Sequence, residues 1–227
     1  MKKNYLLVFL CVIFLGCSKD DAPIQNATFT VGLSLPHSGS MVRGAADLYT
    51  GFYNNYIASQ LLVPKEYSLT ITKDGENIGS ARGEWNADFI TLPEGKYKFW
   101  GTTKGDFEKL TLEFNEEVTI TKNTTSINLT AIYDCYMLFF DQNIFSNVEV
   151  HCNSSSSSAS TSVSLPKTDE IHYLFLPHRS ASSIAYETIS GDRGSVYLKN
   201  YTFEKGKYYM FDIVNGQIAI PQMTSGI

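Results

Sequence analysis

The sequence predicts an all-β protein made of two successive β-sandwich domains, with one short helix near the N-terminus. Three observations carry this expectation. Apolar residues recur at every second position in one short segment after another, which is the period of half-buried strands. Turn chemistry separates the segments, at Asp74-Gly75, at Pro93-Glu94-Gly95 and at Asn215-Gly216. The chain of 227 residues, 43% hydrophobic and 18% charged, is long enough to bury two cores of about 100 residues each. This composition excludes intrinsic disorder.

The first element is a leader. Residues Met1 to Cys17 read MKKNYLLVFLCVIFLGC: two lysines, an apolar run too short to span a bilayer, then a small residue and a cysteine. This is the pattern of a secretion signal. Its ending, Phe14-Leu15-Gly16-Cys17, resembles the bacterial lipobox, in which a peptidase cuts before a cysteine whose thiol carries lipid; an ordinary signal that contains a cysteine is the other reading. Lipidation at Cys17 would anchor the protein to a membrane with no contribution from its surface, because acyl methylenes supply the affinity. Loss of Met1 to Gly16 removes Lys2 and Lys3 and moves the formal charge from −5 to −7. No basic footprint for nucleic acid is present. Ser18-Lys19-Asp20-Asp21 resembles the acidic export tag behind the lipidated cysteine in surface lipoproteins of Bacteroidota, so the expected location is the outer membrane, facing the cell exterior.

The elements then follow in order. Residues 17–26 contain Pro23 and no periodicity, and form a polar tether. Thr28 to Leu35 alternates as Phe29, Val31, Leu33 and Leu35 on one face, and Pro36 ends this strand. Ala45 to Ser59 places Ala45, Leu48, Phe52 and Tyr56 at helical spacing. Strands are expected at Tyr67 to Lys73, Asn86 to Leu92, Lys96 to Gly101, Leu110 to Phe114, Glu117 to Thr121 and Ser126 to Ile132. There the first sandwich, 27–131, is complete. The second, 132–227, uses Tyr133 to Phe140, Asn147 to Cys152, Ile171 to Leu176, Ile184 to Ile189, Ser195 to Tyr201, Lys207 to Val214 and Gln217 to Ile220. The serine-rich stretch Asn153 to Ser162 reads as a flexible loop or a glycosylated segment.

Once Cys11 leaves with the signal and Cys17 takes lipid, Cys135 and Cys152 remain, and outside the cytoplasm such a pair points to a disulfide. If Tyr133 to Phe140 and Asn147 to Cys152 form a hairpin closed by Gln142 to Phe145, counting back in register sets Cys135 opposite Cys152. Two buried free thiols are the competing reading.

Chemistry is sparse. His37, His151, His172 and His178 lack the paired spacing of a zinc site, so no metal is expected. No nucleophile elbow, phosphate loop or dinucleotide motif occurs, and no cofactor is implied. Glu84, Asp88, Glu116 and Glu117 could serve glycoside hydrolysis only if two of them converged, and nothing in the pattern aims them together. The expectation is a protein that is not an enzyme. Trp85, Trp100, Tyr97, Tyr201 and Tyr208 could form a platform for sugar rings or simply fill the core. Tyr97 and Phe99 alternate with Lys96 and Lys98, as core residues would, and Trp85, beside an expected loop from Gly79 to Gly83, is the ring expected to meet ligand.

The segment Ile90-Thr91-Leu92-Pro93-Glu94-Gly95-Lys96-Tyr97-Lys98-Phe99 resembles the strand, turn and Gly-x-Tyr strand of transthyretin-like sandwiches. With the lipobox, the acidic tag, Tyr133-Asp134-Cys135 and the run from Lys205 to Asp212, the chain resembles the fimbrillin-like surface lipoproteins of Bacteroidota. The resemblance implies two transthyretin-like sandwiches and a structural or adhesive subunit at a pilus shaft, anchor or tip, with pilus-like proteins as partners; a surface glycan-binding lipoprotein is the alternative. It also implies protease maturation after a basic residue behind the first strand, a place that Arg43 occupies, opening a groove for a neighbouring subunit's strand. The helix over Ala45 to Ser59 departs from that pattern.

Overall fold

A computed structural model of the chain describes residues 25–36, 46–103, 105–153, 160–168, 170–177, 181–198 and 201–219. The leader, Cys17 and Arg43 lie outside the described residues. The first strand, β1 (Asn26–Ser34), buries Phe29, Val31 and Leu33 as its alternation dictates. It pairs antiparallel with β4 (Phe89–Pro93) and parallel with β7 (Ser126–Thr130), giving a three-stranded sheet β4-β1-β7. Facing it is a five-stranded sheet ordered β3-β2-β5-β6-β8, from β2 (Glu66–Lys73), β3 (Glu76–Glu84), β5 (Gly95–Thr103), β6 (Leu112–Ile120) and β8 (Ile132–Tyr133). The sheets meet through apolar side chains, among them Phe29 and Phe99 with ring centroids 6.4 Å apart, edge to face. Asp74 and Gly75, both at positive φ (52° and 84°), close the β2–β3 hairpin with the twist that two-residue turns require.

Two expectations in this half need correction. Gly79 to Gly83 is strand, not loop, because residues 76–84 pair with β2 along nearly its whole length. Leu110 to Phe114 and Glu117 to Thr121 are not two strands: Leu112 to Ile120 runs unbroken in register with β5, as no glycine or proline interrupts it.

The second half forms two four-stranded sheets. One, β12-β9-β15-β16, is built from β9 (Cys135–Asp141), β12 (Ile171–Pro177), β15 (Tyr208–Val214) and β16 (Gln217–Ala219). The other, β11-β10-β13-β14, is built from β10 (Phe145–Asn153), β11 (Ser160–Ser164), β13 (Ala181–Thr188) and β14 (Arg193–Tyr197). The fold is therefore an all-β sandwich architecture of four sheets. Strand β11 corrects the expectation of loop up to Ser162: its residues pair with Glu149 to Asn153, so backbone bonding orders a serine-rich segment that side-chain burial could not.

The expected β9–β10 hairpin also needs correction. These strands belong to different sheets, β9 pairing with β12 and β15, and β10 with β11 and β13. Cys135 stands opposite Pro177 and packs in the core of the first half, whereas Cys152 packs in the core of the second. Both are buried free thiols, so the Cys135 to Cys152 bridge is not formed. Burial pushes the Cys135 thiol up to about 12 and the Cys152 thiol to about 11, which removes the thiolate that oxidation needs.

Strand β9 is buried on both faces. Cys135, Met137 and Phe139 point into the first core and Tyr136, Leu138 and Phe140 into the second, all without solvent exposure. A continuous apolar run, CYMLFF, is the sequence signature of such a strand. The helix explains how one face stays covered. Helix α1 (Ala46–Phe52) runs on into a π-helical turn over Tyr53–Ala58. Tyr49 stacks on Tyr208 with centroids 3.8 Å apart, and Phe52 meets Phe139 at 5.6 Å and Tyr173 at 5.2 Å. A helix encoded ahead of β2 thus caps the outer face of a sheet encoded after Ala131. At Ala131 the chain leaves β7 for β8, which still pairs with β6.

Candidate functional site

The outer face of the five-stranded sheet carries the most developed surface feature among the described residues. Strand β5 buries Tyr97, Phe99, Gly101 and Thr103, and turns Lys96, Lys98, Trp100 and Thr102 to water. Trp100 is 49% exposed. Directly across from it stand Thr70 on β2 and Asn115 on β6, and Ser80 on β3 stands across from Thr70. With strands about 4.8 Å apart, Ser80, Thr70, Trp100 and Asn115 make one transverse row across four strands. Gly101 lets β2 and β5 approach closely: a Cβ there would stand 2.2 Å from the Ser68 carbonyl oxygen.

An open groove of about 1160 Å³ lies on one side of Trp100 and a smaller one of about 410 Å³ on the other, and Trp100, Gly101 and Thr102 line both. Charges along this surface are compensated. Lys96 pairs with Glu117 at 2.6 Å, a contact that raises the lysine and lowers the carboxylate from their ordinary pKa values. The larger groove is lined by Lys65, Arg82 and Lys109 and by Glu66, Glu84, Asp88 and Asp106.

The structure distributes the other sequence candidates differently. Trp85 is not the exposed ring. Its indole sits between Tyr67 and Phe114, at 4.9 Å and 5.1 Å, and its Nε1–H donates to the Pro64 carbonyl at 3.1 Å, because the segment before it is a strand that delivers it onto the core. Tyr97 is buried and donates its hydroxyl to the Pro93 carbonyl at 2.8 Å, and Tyr208 is buried against Tyr49. Tyr201 is 48% exposed, outside the five-stranded sheet. Three of the four carboxylates have structural duties, and Glu84 lines the larger groove: Asp88 accepts from the Glu84 amide at 2.7 Å, Glu116 accepts from the Thr130 amide at 2.8 Å, and Glu117 holds Lys96. Among the described residues no three His, Cys, Asp or Glu side chains gather as a metal site, and no helix is long and apolar enough to cross a membrane.

Trp100 was legible. Extending the Lys96, Lys98 alternation by one step places it with the lysines on the water side, a signal masked by the general tendency of tryptophan to be buried.

No family model matches the chain, and no curated protein matches it. Solved structures do. A candidate cell adhesion protein from Bacteroides uniformis shares 7% identity, covering 72% of this chain and 92% of its own, with a TM-score of 0.50. The tip fimbrial protein Mfa3 from Porphyromonas gingivalis is 10% identical over 73% of this chain and 95% of its own, at a TM-score of 0.46. A fimbrial assembly protein from Parabacteroides distasonis is 12% identical over 86% and 94%, at 0.46. At such identities the first likeness speaks to fold: the chain has the sandwich architecture of that protein.

Proposed function

We propose that this chain is a lipid-anchored protein of the outer-membrane surface that works as a non-enzymatic structural or adhesive subunit. The observation that carries the reading is the pairing of a lipoprotein-type leader ending at Cys17 with a fold shared with a candidate adhesion protein. What the described residues offer to a partner is sheet surface, and three of the four carboxylates named from the sequence, Asp88, Glu116 and Glu117, are held by a backbone amide or a lysine. The fimbrillin-like resemblance supports partnership with pilus-like proteins, and the position of Arg43 behind β1 supports maturation there by a trypsin-like protease. The division of the chain near Ala131 belongs to the same proposal.

Two measurements test it. Labelled palmitate should enter the wild-type protein and not Cys17→Ala; equal labelling of both overturns the anchor. Mild detergent extraction from the native outer membrane should bring fimbrial-type subunits along with this chain. If it travels alone and whole cells gain no adhesion from it, the subunit reading fails.

A further inference from the structure

We infer that the Trp100 surface is a binding site for an uncharged polysaccharide chain. The inference rests on the cell-surface reading only for where the ligand would be met. The Trp100 side chain makes no ring contact or hydrogen bond among the described residues and is 49% exposed on the central strand of its sheet, so about half of a large aromatic surface is open to a ligand. The row across it is polar and uncharged. Thr70, Ser80 and Asn115 offer hydroxyl and amide groups that are unengaged among the described residues.

An apolar plate framed by neutral donors and acceptors is complementary to a pyranose ring, whose C–H face is apolar and whose rim is hydroxyl. A protein interface would instead centre on several apolar side chains, and the Trp100 row supplies one. Three basic and four acidic side chains line the larger groove, so its charges nearly cancel and no strong field of one sign selects an anionic or cationic ligand. The two grooves meet at Trp100, so a linear chain could lie along both and stack one residue on the indole between them.

The test is affinity electrophoresis of the full-length protein, extracted in detergent, through gels containing mannan, dextran or galactan, with anionic polygalacturonate as a fourth gel. At least one neutral gel should retard the wild type, and Trp100→Ala should lower the apparent affinity at least tenfold. Because Trp85 is the only other tryptophan, the matching soluble polysaccharide should shift tryptophan emission in the wild type and leave it unchanged in Trp100→Phe. Circular dichroism identical to wild type shows that the exposed substitutions left the fold intact. Retardation confined to polygalacturonate, equal retardation of Trp100→Ala, or none in any neutral gel overturns the inference. Loss of subunit partners in Trp100→Ala without any polysaccharide retardation also overturns it, while leaving the structural-subunit reading standing.

Discussion

Replacing Phe52 by Ala should loosen strands that lie more than eighty residues further along the chain. Phe52 is 3% exposed, and its ring touches Phe139 at 5.6 Å, edge to face, and Tyr173 at 5.2 Å, on β9 and β12. Truncating a buried phenylalanine costs about 3 to 5 kcal/mol, and the lost aromatic geometry falls within that range. The outer face of the β12-β9-β15 sheet then loses part of its cover while its inner face stays against the second core. Since about 1.4 kcal/mol is a factor of ten in an equilibrium, amides of β9 and β12 whose opening is limited by this contact should exchange about a hundredfold to a few thousandfold faster. Hydrogen exchange read by mass spectrometry on the intact chain measures this peptide by peptide, with Trp100→Ala, on the opposite face of the other sheet, as the control that should leave β9 alone. Faster exchange confined to the helix and the first two sheets, with residues 135–141 and 171–177 unchanged, would refute the claim that the helix ties the two halves together.

Three further outcomes follow from particular contacts. Gly101→Ala should cost about 1 to 3 kcal/mol, because a Cβ 2.2 Å from the Ser68 carbonyl can be relieved only by parting β2 from β5; a melting curve unchanged from wild type would deny that close approach. Without reductant, iodoacetamide should label neither Cys135 nor Cys152 in the native protein and both in denaturant; a linked pair of cysteine peptides would contradict the two-sheet placement. Burial holds His172 below its ordinary pKa of 6.5, its Nε2–H donating to the Phe145 carbonyl at 3.0 Å while Nδ1 has no hydrogen-bond partner among the described residues. A folded pKa below the unfolded one means that the unfolded chain takes up the proton first as pH falls. The urea midpoint should therefore drop as pH falls below 6.5, and His172→Gln should flatten that part of the profile; an identical slope in the variant would refute the assignment.

Much of this fold is written in period-two alternation. β5 and β1 from Asn26 to Val31 alternate inward and outward positions, and Asp74-Gly75 and Asn215-Gly216 mark hairpins that the structure contains. The errors share a physical origin, which is that alternation describes one strand and says nothing of which sheet receives it. Counting from Gln142 to Phe145 assumes that consecutive strands pair, whereas the chain passes from one sheet to the facing one there, and Cys135 and Cys152 end in different cores. The run CYMLFF already contradicted a half-buried hairpin strand, since no polar position interrupts it, and a strand wet on one face would need one.

The same reasoning separates the two tryptophans. Trp85 follows a segment rich in glycine, Ile78-Gly79-Ser80-Ala81-Arg82-Gly83, that suggests a loop by composition alone, yet pairing with β2 makes it an edge strand. Glycines there act through what they omit: Gly83 has Tyr67 and Asp88 side-chain atoms 2.8 Å from where its Cβ would stand, so the missing side chain leaves room for the Tyr67 ring against which Trp85 packs. Trp100 obeys the alternation of its strand and stays wet, even though burying a ring of that size would be strongly favourable. A large apolar side chain held outward on the central strand of a rigid sheet, with neutral polar side chains across from it on both neighbouring strands, is a departure from what stability alone would select. That departure is where function should be sought first on this protein, ahead of the buried cysteines and the carboxylates that its composition brings to notice.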